Sequence, residues 1–155
     1  MSPPTLPANP GSCSGSTLGL MFRQVRDAMW ARMAHELAKA GHDLTFSQYV
    51  TIKKLAAGTA SVTDLARWAE LNPGAMTRLL DRLEARGLIA RVTDPADRRA
   101  LHIHLTPAGQ AIWRDVDQCG LRVREYAMAG MSDDERDLLM RMLVQVRDNL
   151  LLMDR

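Results

Sequence analysis

Apolar residues recur every three or four positions along most of this 155-residue chain, a spacing typical of helices that bury one face. The first stripe predicts a helix over residues 17–40, which Gly41 ends. Capping pairs, in which Ser or Thr is followed three positions later by Gln, Asp or Glu, mark the starts of three later helices. These pairs are Thr45 with Gln48, Ser61 with Asp64, and Ser132 with Glu135.

A further helix is predicted over residues 73–86, directly after the short helix that begins at Ser61. Asn72 is a favourable N-cap, Pro73 is favoured at the first helical position, and Gly87 closes the helix. Two helices joined by so short a turn predict a helix-turn-helix.

The periodicity changes to two after this motif, so residues 88–93 and 101–105 are predicted to form a hairpin around the charged loop 94–99. Thr106 and Pro107 then open a long helix, and another follows Ser132. Both carry coiled-coil-like seams. The seam residues are Ile112, Val116, Cys119, Val123 and Tyr126 in the first helix, and Leu139, Leu143, Val146 and Leu150 in the second.

These elements predict a mainly α fold, a winged helix-turn-helix with a small β-hairpin wing and long dimerisation helices. Residues 1–16, rich in Pro, Ser and Gly, are predicted to form a flexible tail, and residues 17–155 a single domain. Within the domain, residues 45–105 would form the winged helix-turn-helix, with long helices in residues 17–40 before it and in residues 107–153 after it. Dimerisation is expected because long apolar helices in a small chain need a partner to cover them.

The composition restricts the class of protein. The net charge is only +2, no basic segment precedes Arg23, and no apolar run reaches the roughly 20 residues of a membrane span. We therefore expect a cytoplasmic protein without a membrane partner. The sequence contains no glycine-rich phosphate loop, metal-ligand helix motif or nucleophile elbow. We expect no enzymatic activity and no cofactor.

The polar face of the helix over residues 73–86 is suited to a DNA groove. Its apolar residues Met76, Leu79, Leu80 and Leu83 fall within an arc of roughly 100°, which predicts the buried side. On the other side, small residues allow close approach and arginines reach guanine edges or phosphates. The predicted groove-facing residues are Gly74, Ala75, Thr77, Arg78 and Arg82. Any amphipathic helix has a polar face, but the position between a tight turn and a hairpin favours DNA contact.

The hairpin loop offers a second contact. Arg98 and Arg99 on an exposed loop beside a reading helix are suited to a narrow minor groove, and Asp97 is predicted to orient one of them through a carboxylate-guanidinium pair. The alternative is that the charges of this loop only pair with one another.

Several of these segments together resemble the MarR (multiple antibiotic resistance regulator) family. They are LTFSQY at 44–49, DLA at 64–66, MTRLLDRLE at 76–84, GLI at 87–89, DPADRR at 94–99 and LTPAG at 105–109. The resemblance implies a homodimeric repressor that reads palindromic double-stranded DNA, with half-sites roughly 34 Å apart. It implies that the helices in residues 17–40 and 107–153 are the dimerisation helices. It implies that the groove-facing residues Gly74, Ala75, Thr77, Arg78 and Arg82 lie in the major groove and that Arg98 or Arg99 lies in the minor groove. It also implies release by a small, often aromatic, molecule.

Side chains near the junction of the long helices and the DNA-reading part offer polarisable, flat and cationic surface for such an effector. The candidates are Arg23, Met29, Trp30, Met33, Tyr49 and Trp113. The alternative is that these residues are merely core.

Three other interpretations stay open. Thiol sensing would use Cys13, in the predicted tail, or Cys119, in an apolar seam that would shield it. Metal sensing would use His35, His42, His102 or His104, although no metal site is expected. A winged-helix interaction protein without DNA binding is the third.

Overall fold

The computed structural model describes residues 15–152 of the chain. Most of the predicted tail, including Cys13, lies outside the described residues. The helices are α1 (Gly15–Lys39), α2 (Phe46–Ala56), α3 (Val62–Trp68), α4 (Pro73–Ala85), α5 (Pro107–Ala127) and α6 (Asp133–Leu151). The strands are β1 (Ala60–Ser61), β2 (Ile89–Thr93) and β3 (Leu101–Leu105). The mainly α winged helix-turn-helix is confirmed.

The predicted capping pairs start the helices, with one difference. In the box that opens α2, Thr45 Oγ1 accepts from the Gln48 N–H at 3.2 Å and Gln48 Oε1 accepts from the Thr45 N–H at 3.0 Å. The box that opens α6 is built the same way. At α3, Ser61 is the N-cap, but Asp64 Oδ2 accepts from the Ser61 hydroxyl at 2.9 Å. The prediction of a full box was wrong there, because the Asp side chain is one methylene shorter than Glu.

The wing is a three-stranded antiparallel sheet in the order β1-β3-β2. β2 pairs with β3 from Ile89 opposite Leu105 to Thr93 opposite Leu101, as the predicted hairpin requires. β1 was not predicted, because two residues are too few to show an alternating pattern. It pairs Ser61 with His102, so the residue that caps α3 is attached to the wing.

Helices α1, α2, α3, α4 and α5 and the sheet share one hydrophobic core. The predicted buried arc of α4 is confirmed, since Met76, Leu79, Leu80 and Leu83 are all buried. The α5 seam is used differently from the prediction. Val116, Cys119 and Val123 are buried within the protomer, where α5 packs against α1 and α2, whereas Tyr126 is 54% exposed.

The joint between the wing and α5 is tightly built. The Thr106 hydroxyl donates to the Gly87 carbonyl at 2.5 Å, and the Thr106 N–H donates to the Leu88 carbonyl at 3.0 Å. One turn into α5, a Cβ at Gly109 would overlap the Leu88 carbonyl oxygen. The backbone of α5 therefore lies directly on the end of the α4–β2 turn.

Helix α6 contributes no buried residue to the protomer. Large apolar side chains are exposed along it and along the first half of α1. They include Leu138, Met140, Met142, Val144, Leu150 and Leu151 on α6, and Leu18, Leu20, Met21, Phe22 and Val25 on α1. Within residues 15–152, no helix has both the length and the hydropathy needed to cross a membrane.

Candidate nucleic-acid interface

The start of α4 presents an open, polar surface. Asn72 Oδ1 caps the helix by accepting from the Ala75 N–H at 2.8 Å. Gly74, Thr77 and Arg78 are exposed, Ala75 is half-buried, and Arg82 is exposed one turn further along. The predicted groove-facing residues therefore lie together on the solvent side of α4, opposite its buried arc.

The wing loop is held by its carboxylates. Asp94 Oδ1 accepts from the Ala96 N–H at 2.8 Å, and Asp97 Oδ1 accepts from the Arg99 N–H at 2.9 Å. The other Asp94 oxygen lies 3.2 Å from His102 Nε2. These hydrogen bonds, first that from Ala96 and then that with His102, lower the pKa of Asp94 below its ordinary value. Both aspartates thus shape the loop.

The predicted pairing of Asp97 with an arginine side chain was wrong. Within the described part of the chain, no carboxylate lies within ion-pair distance of Arg98 or Arg99. The alternative, that the loop charges pair among themselves, is contradicted by the same geometry. Asp97 instead fixes the backbone at Arg99, because a short acidic side chain two residues back closes a turn onto that N–H. Both guanidinium groups remain exposed at the tip of the wing.

The acidic residues of α4 are neutralised from the neighbouring strand. Arg91 on β2 donates to Asp81 at 2.7 Å and also to Glu84. The hydrogen bond to Asp81, with the charge of Glu84, raises the pKa of Arg91. Arg91 was missed in the sequence. The available signal was its position two residues after buried Ile89 on the same strand. That spacing places both side chains on one face of the sheet, the face that packs on α4.

The result is a surface with uncompensated positive charge. Among the described residues, Arg78, Arg82, Arg98 and Arg99 have no ion-pair partner, whereas Asp81, Glu84 and Asp94 all do. Four exposed guanidinium groups on one helix and one wing form the kind of local basic face that attracts a polyanion on a nearly neutral molecule.

The predicted effector residues are only partly brought together. Trp30 lies 5.7 Å from Tyr49 and 5.2 Å from Phe46, measured between ring centroids. Met33 is buried and Trp113 packs half-buried against the core. Phe46, which is 40% exposed, was missed; it directly follows the Thr45 cap, where nothing in the periodicity distinguishes it.

Two predicted effector residues lie apart from this aromatic group. Met29 lines a separate depression of about 190 Å³ with Arg32 and Tyr126, between α1 and α5. Arg23 is exposed on α1. The effector site remains a prediction, supported by the Trp30, Phe46 and Tyr49 rings.

The described cysteine has the surroundings of an inert thiol. Cys119 is buried, and burial is the main reason that its pKa is raised, although Arg122 Nη2 lies 3.2 Å from the sulfur. A raised pKa lowers the thiolate fraction that reacts with oxidants. His42 is paired with Asp115 at 2.9 Å. In residues 15–152, no three His, Cys, Asp or Glu side chains are grouped as metal ligands would be.

Comparisons with known proteins agree on one family. The model of the MarR family matches residues 44–101. The transcriptional regulator HosA of Escherichia coli O111:H- is 32% identical over 124 residues, which cover 79% of this chain and 88% of HosA. The HTH-type transcriptional regulator TtmR of Methylorubrum extorquens (strain PA1) is 35% identical over 118 residues. That alignment covers 76% of this chain but only 60% of the length of TtmR.

Solved structures give the same result. Bordetella bronchiseptica BpsR, whose DNA binding is regulated by 6-hydroxynicotinic acid, superposes with a TM-score of 0.72 at 25% identity, covering 89% of this chain and 99% of BpsR. The transcriptional repressor CouR, bound to a 23-mer DNA duplex, superposes with a TM-score of 0.73 at 25% identity, covering 86% and 94%. With HosA matched over most of its length, the winged helix-turn-helix chain described above belongs to the MarR family of transcriptional regulators.

Proposed function

We propose that this protein is a cytoplasmic, homodimeric repressor that binds a palindromic DNA operator and is released by a small aromatic molecule. In this proposal α4 enters the major groove, and Arg98 or Arg99 enters the minor groove. The observation that carries it is the set of exposed, unpaired arginines on α4 and the wing, next to acidic residues that are already neutralised.

The charge distribution supports DNA rather than a protein partner. On an ordinary solvated surface, acidic side chains and arginines are interspersed. Here Arg91 forms ion pairs with both acidic residues of α4, Asp81 and Glu84. Arg78 and Arg82 therefore face outwards without a neighbouring free carboxylate among the described residues. This is what phosphate recognition requires, because binding energy comes largely from displacing counterions.

The exposed apolar surface supports a dimer. Helix α6 has no buried residue in the protomer, and three of its four predicted seam residues, Leu139, Leu143 and Val146, are only half-buried. Many exposed apolar side chains on one helix are unfavourable in water and mark a protein interface. A second copy would cover it and would place two α4 helices for half-sites about one turn apart, roughly 34 Å.

The relatives support both DNA and a small aromatic molecule as ligands. CouR has been solved with DNA, and the DNA binding of BpsR responds to 6-hydroxynicotinic acid, a ring carrying a carboxyl group. The Trp30, Phe46 and Tyr49 rings offer this chain a surface for a molecule of that kind.

Selection of bound sequences from a random DNA pool, with the purified protein at two salt concentrations, tests the proposal. We expect a two-fold-symmetric motif whose enrichment is weaker at the higher salt. Enrichment of no motif, with or without aromatic acids present, would contradict the operator-binding function and favour a winged-helix interaction protein.

The effector is tested separately with a library of phenolic and heteroaromatic acids. A true effector should change tryptophan fluorescence and weaken operator binding, and Trp30→Phe should reduce the fluorescence change. Trp68→Phe is the matched control, because Trp68 lies on α3 with Lys54 Nζ 4.5 Å from the centre of its ring, and it is not part of the Trp30, Phe46 and Tyr49 group. Unchanged fluorescence and unchanged DNA affinity across the library would contradict the effector proposal alone.

A further inference from the structure

We propose that His102 is a positioning residue for the wing arginines, acting through Asp94, and that it makes operator affinity rise as the pH falls through the range in which an imidazole gains a proton. This inference rests on the proposed DNA-binding function, and it adds a positioning residue and a condition that regulates binding.

The loop that carries Arg98 and Arg99 is closed on itself by hydrogen bonds. At its neck, the Asp94 N–H donates to the Ala100 carbonyl at 2.9 Å. Inside the loop, Asp94 Oδ1 accepts from the Ala96 N–H at 2.8 Å. Both bonds shape the loop, but neither joins it to the rest of the protein.

One side chain of the sheet reaches this loop. His102 Nε2 lies 3.2 Å from Asp94 Oδ2, the carboxylate oxygen that does not accept from Ala96. Among the described residues, no other side chain outside residues 94–100 hydrogen-bonds to the loop. His102 lies on the central strand β3, opposite Ser61, the N-cap of α3. It therefore joins the loop to the strand through which the wing is attached to the helix-turn-helix.

The contact has a defined donor and acceptor. The pKa of Asp94 is lowered, first by the hydrogen bond from Ala96 and then by that with His102, so the carboxylate is ionised near neutral pH and can only accept. Nε2 is therefore the donor, and a further proton is gained at Nδ1. That proton leaves the hydrogen bond in place and strengthens it, because the donor becomes charged. The loop is thus held more firmly towards the acidic end of the range of about pH 5 to 8 in which histidine titrates.

Other charged groups of the neighbouring elements leave this contact intact. They are His104 on β3, Arg91 on β2, Asp64 and Arg67 on α3, and Asp97, Arg98 and Arg99 in the loop. Asp64 is paired with Arg67 at 3.7 Å, and Arg91 is paired with two acidic residues of α4. Helices α2 and α5 pack on the opposite face of β3, which carries buried Ile103. Asp94 is therefore the acidic group that responds to the charge of His102.

A loop that is already held in place loses less conformational freedom when its arginines meet DNA, so its affinity is higher. Because the pair is partly exposed, we expect an effect of about twofold per wing, which is about fourfold for a dimer.

The test compares operator affinity at about pH 8 and about pH 6 at fixed ionic strength. The wild type should bind about fourfold more tightly at the lower pH. His102→Gln keeps an N–H that can donate to Asp94 but does not titrate, so it should match the wild type at the higher pH and lose the rise. His104→Gln is the matched control, because it lies two residues along the same face of β3, and it should keep the rise.

Asp94→Asn separates positioning from direct attraction of phosphate by a charged His102. Asparagine keeps an oxygen that can accept from the Ala96 N–H but removes the negative charge. We expect the rise to disappear in this variant, whereas direct attraction would preserve it.

Amide hydrogen exchange in the free protein tests the anchor without DNA. At one fixed pH near about 6, where part of the histidine is protonated, His102→Leu should speed exchange of the Ala96 N–H. The Thr106 N–H, which donates to the Leu88 carbonyl at the other end of the wing, should exchange at the wild-type rate.

A rise in affinity that persists in His102→Gln or in Asp94→Asn would overturn the inference. Unchanged exchange of the Ala96 N–H in His102→Leu would do the same, and so would a wild type whose affinity does not rise. Each of these outcomes leaves operator binding itself intact. Failure of the wild type to select any operator would instead overturn the proposed function, while the exchange measurement would still report on the anchor.

Discussion

Arg91 on β2 and Asp81 on α4 are joined by a hydrogen-bonded ion pair, with 2.7 Å between Nη2 and Oδ1. The same guanidinium also contacts Glu84. Asp81 lies between Arg78 and Arg82 in sequence, on the exposed side of the helix. The pair therefore neutralises a negative charge where phosphate would approach in the proposed DNA complex, and it joins β2 of the wing to α4.

Replacing Arg91 by alanine should weaken operator binding by about tenfold at low salt, because two freed carboxylates would face DNA within a Debye length. The loss should shrink as salt screens the repulsion. Adding Asp81→Asn and Glu84→Gln to the Arg91→Ala protein should recover most of the affinity. Fluorescence anisotropy of a labelled operator over a salt series measures this. An unrecovered loss in the triple variant would show that Arg91 acts only by holding the fold.

The wing arginines should contribute affinity with little sequence preference. Arg98→Ala with Arg99→Ala removes four positive charges per dimer, so the dependence of log affinity on log salt should flatten by about 2 to 4. Arg114→Ala with Arg141→Ala is the charge-matched control, since both side chains are exposed on α5 and α6. Equal flattening in the control would mean that net charge, and not the wing, produces the effect.

Arg78 should contribute base preference. Replacing it by alanine should cost about 1–3 kcal/mol per half-site on the preferred operator if it makes a bidentate contact to guanine. Binding to operators altered at that base should change little, so the preference should collapse. Competition between the selected operator and single-base variants measures this. A uniform loss across all competitors would place Arg78 on a phosphate.

Gly109 should be essential to the joint between the wing and α5. In Gly109→Ala the new Cβ would overlap the Leu88 carbonyl oxygen and lie 3.1 Å from Leu105 Cδ2, so we expect a loss of about 1–3 kcal/mol. Gly120→Ala in the same helix meets nothing within 4 Å and should be neutral or stabilising by up to about 1 kcal/mol. Denaturant unfolding at equal protein concentration compares them. Equal effects of the two changes would contradict the packing argument.

Local patterns predicted most of the fold. The starts of α2, α4 and α6 follow from their caps, the ends of α2 and α4 follow from glycines, and the buried arc of α4 follows from its periodicity alone. These signals are visible in sequence because each depends on residues within one turn of one another. The proposed DNA-contacting face of α4 followed as the side opposite the buried arc.

Contacts between distant elements were not predictable in the same way. The β1 strand exists only because β3 lies beside it, and the Arg91 pair depends on how β2 packs on α4. The α5 seam has a coiled-coil period. The sequence does not show whether α1 of the same protomer or a second copy covers it, because that depends on how the helices pack in three dimensions. In the structure, Val116, Cys119 and Val123 are buried within the protomer, whereas α6 has no buried residue and leaves its apolar face uncovered.

Glu36 on α1 is a carboxylate only 1% exposed, and it accepts a hydrogen bond from Arg122 Nε on α5 at 2.8 Å. This bond is the main reason that the pKa of Glu36 lies below its ordinary value of 4.5. Because the folded pKa is lowered, the stabilisation is fully present above the ordinary pKa and is lost as the pH falls through the folded value.

Glu36→Gln should therefore be less stable than the wild type at pH 7, and the gap should close as the pH falls below the ordinary pKa of 4.5 and through the lower folded value. The wild type loses its ionised carboxylate over this range, whereas the variant has none to lose. Denaturant unfolding as a function of pH measures the gap, with Asp117→Asn, an exposed change on α5, as the control. A gap that stayed constant down to pH 3 would show that the side chain of Glu36 stabilises the α1–α5 contact by packing and not by its charge.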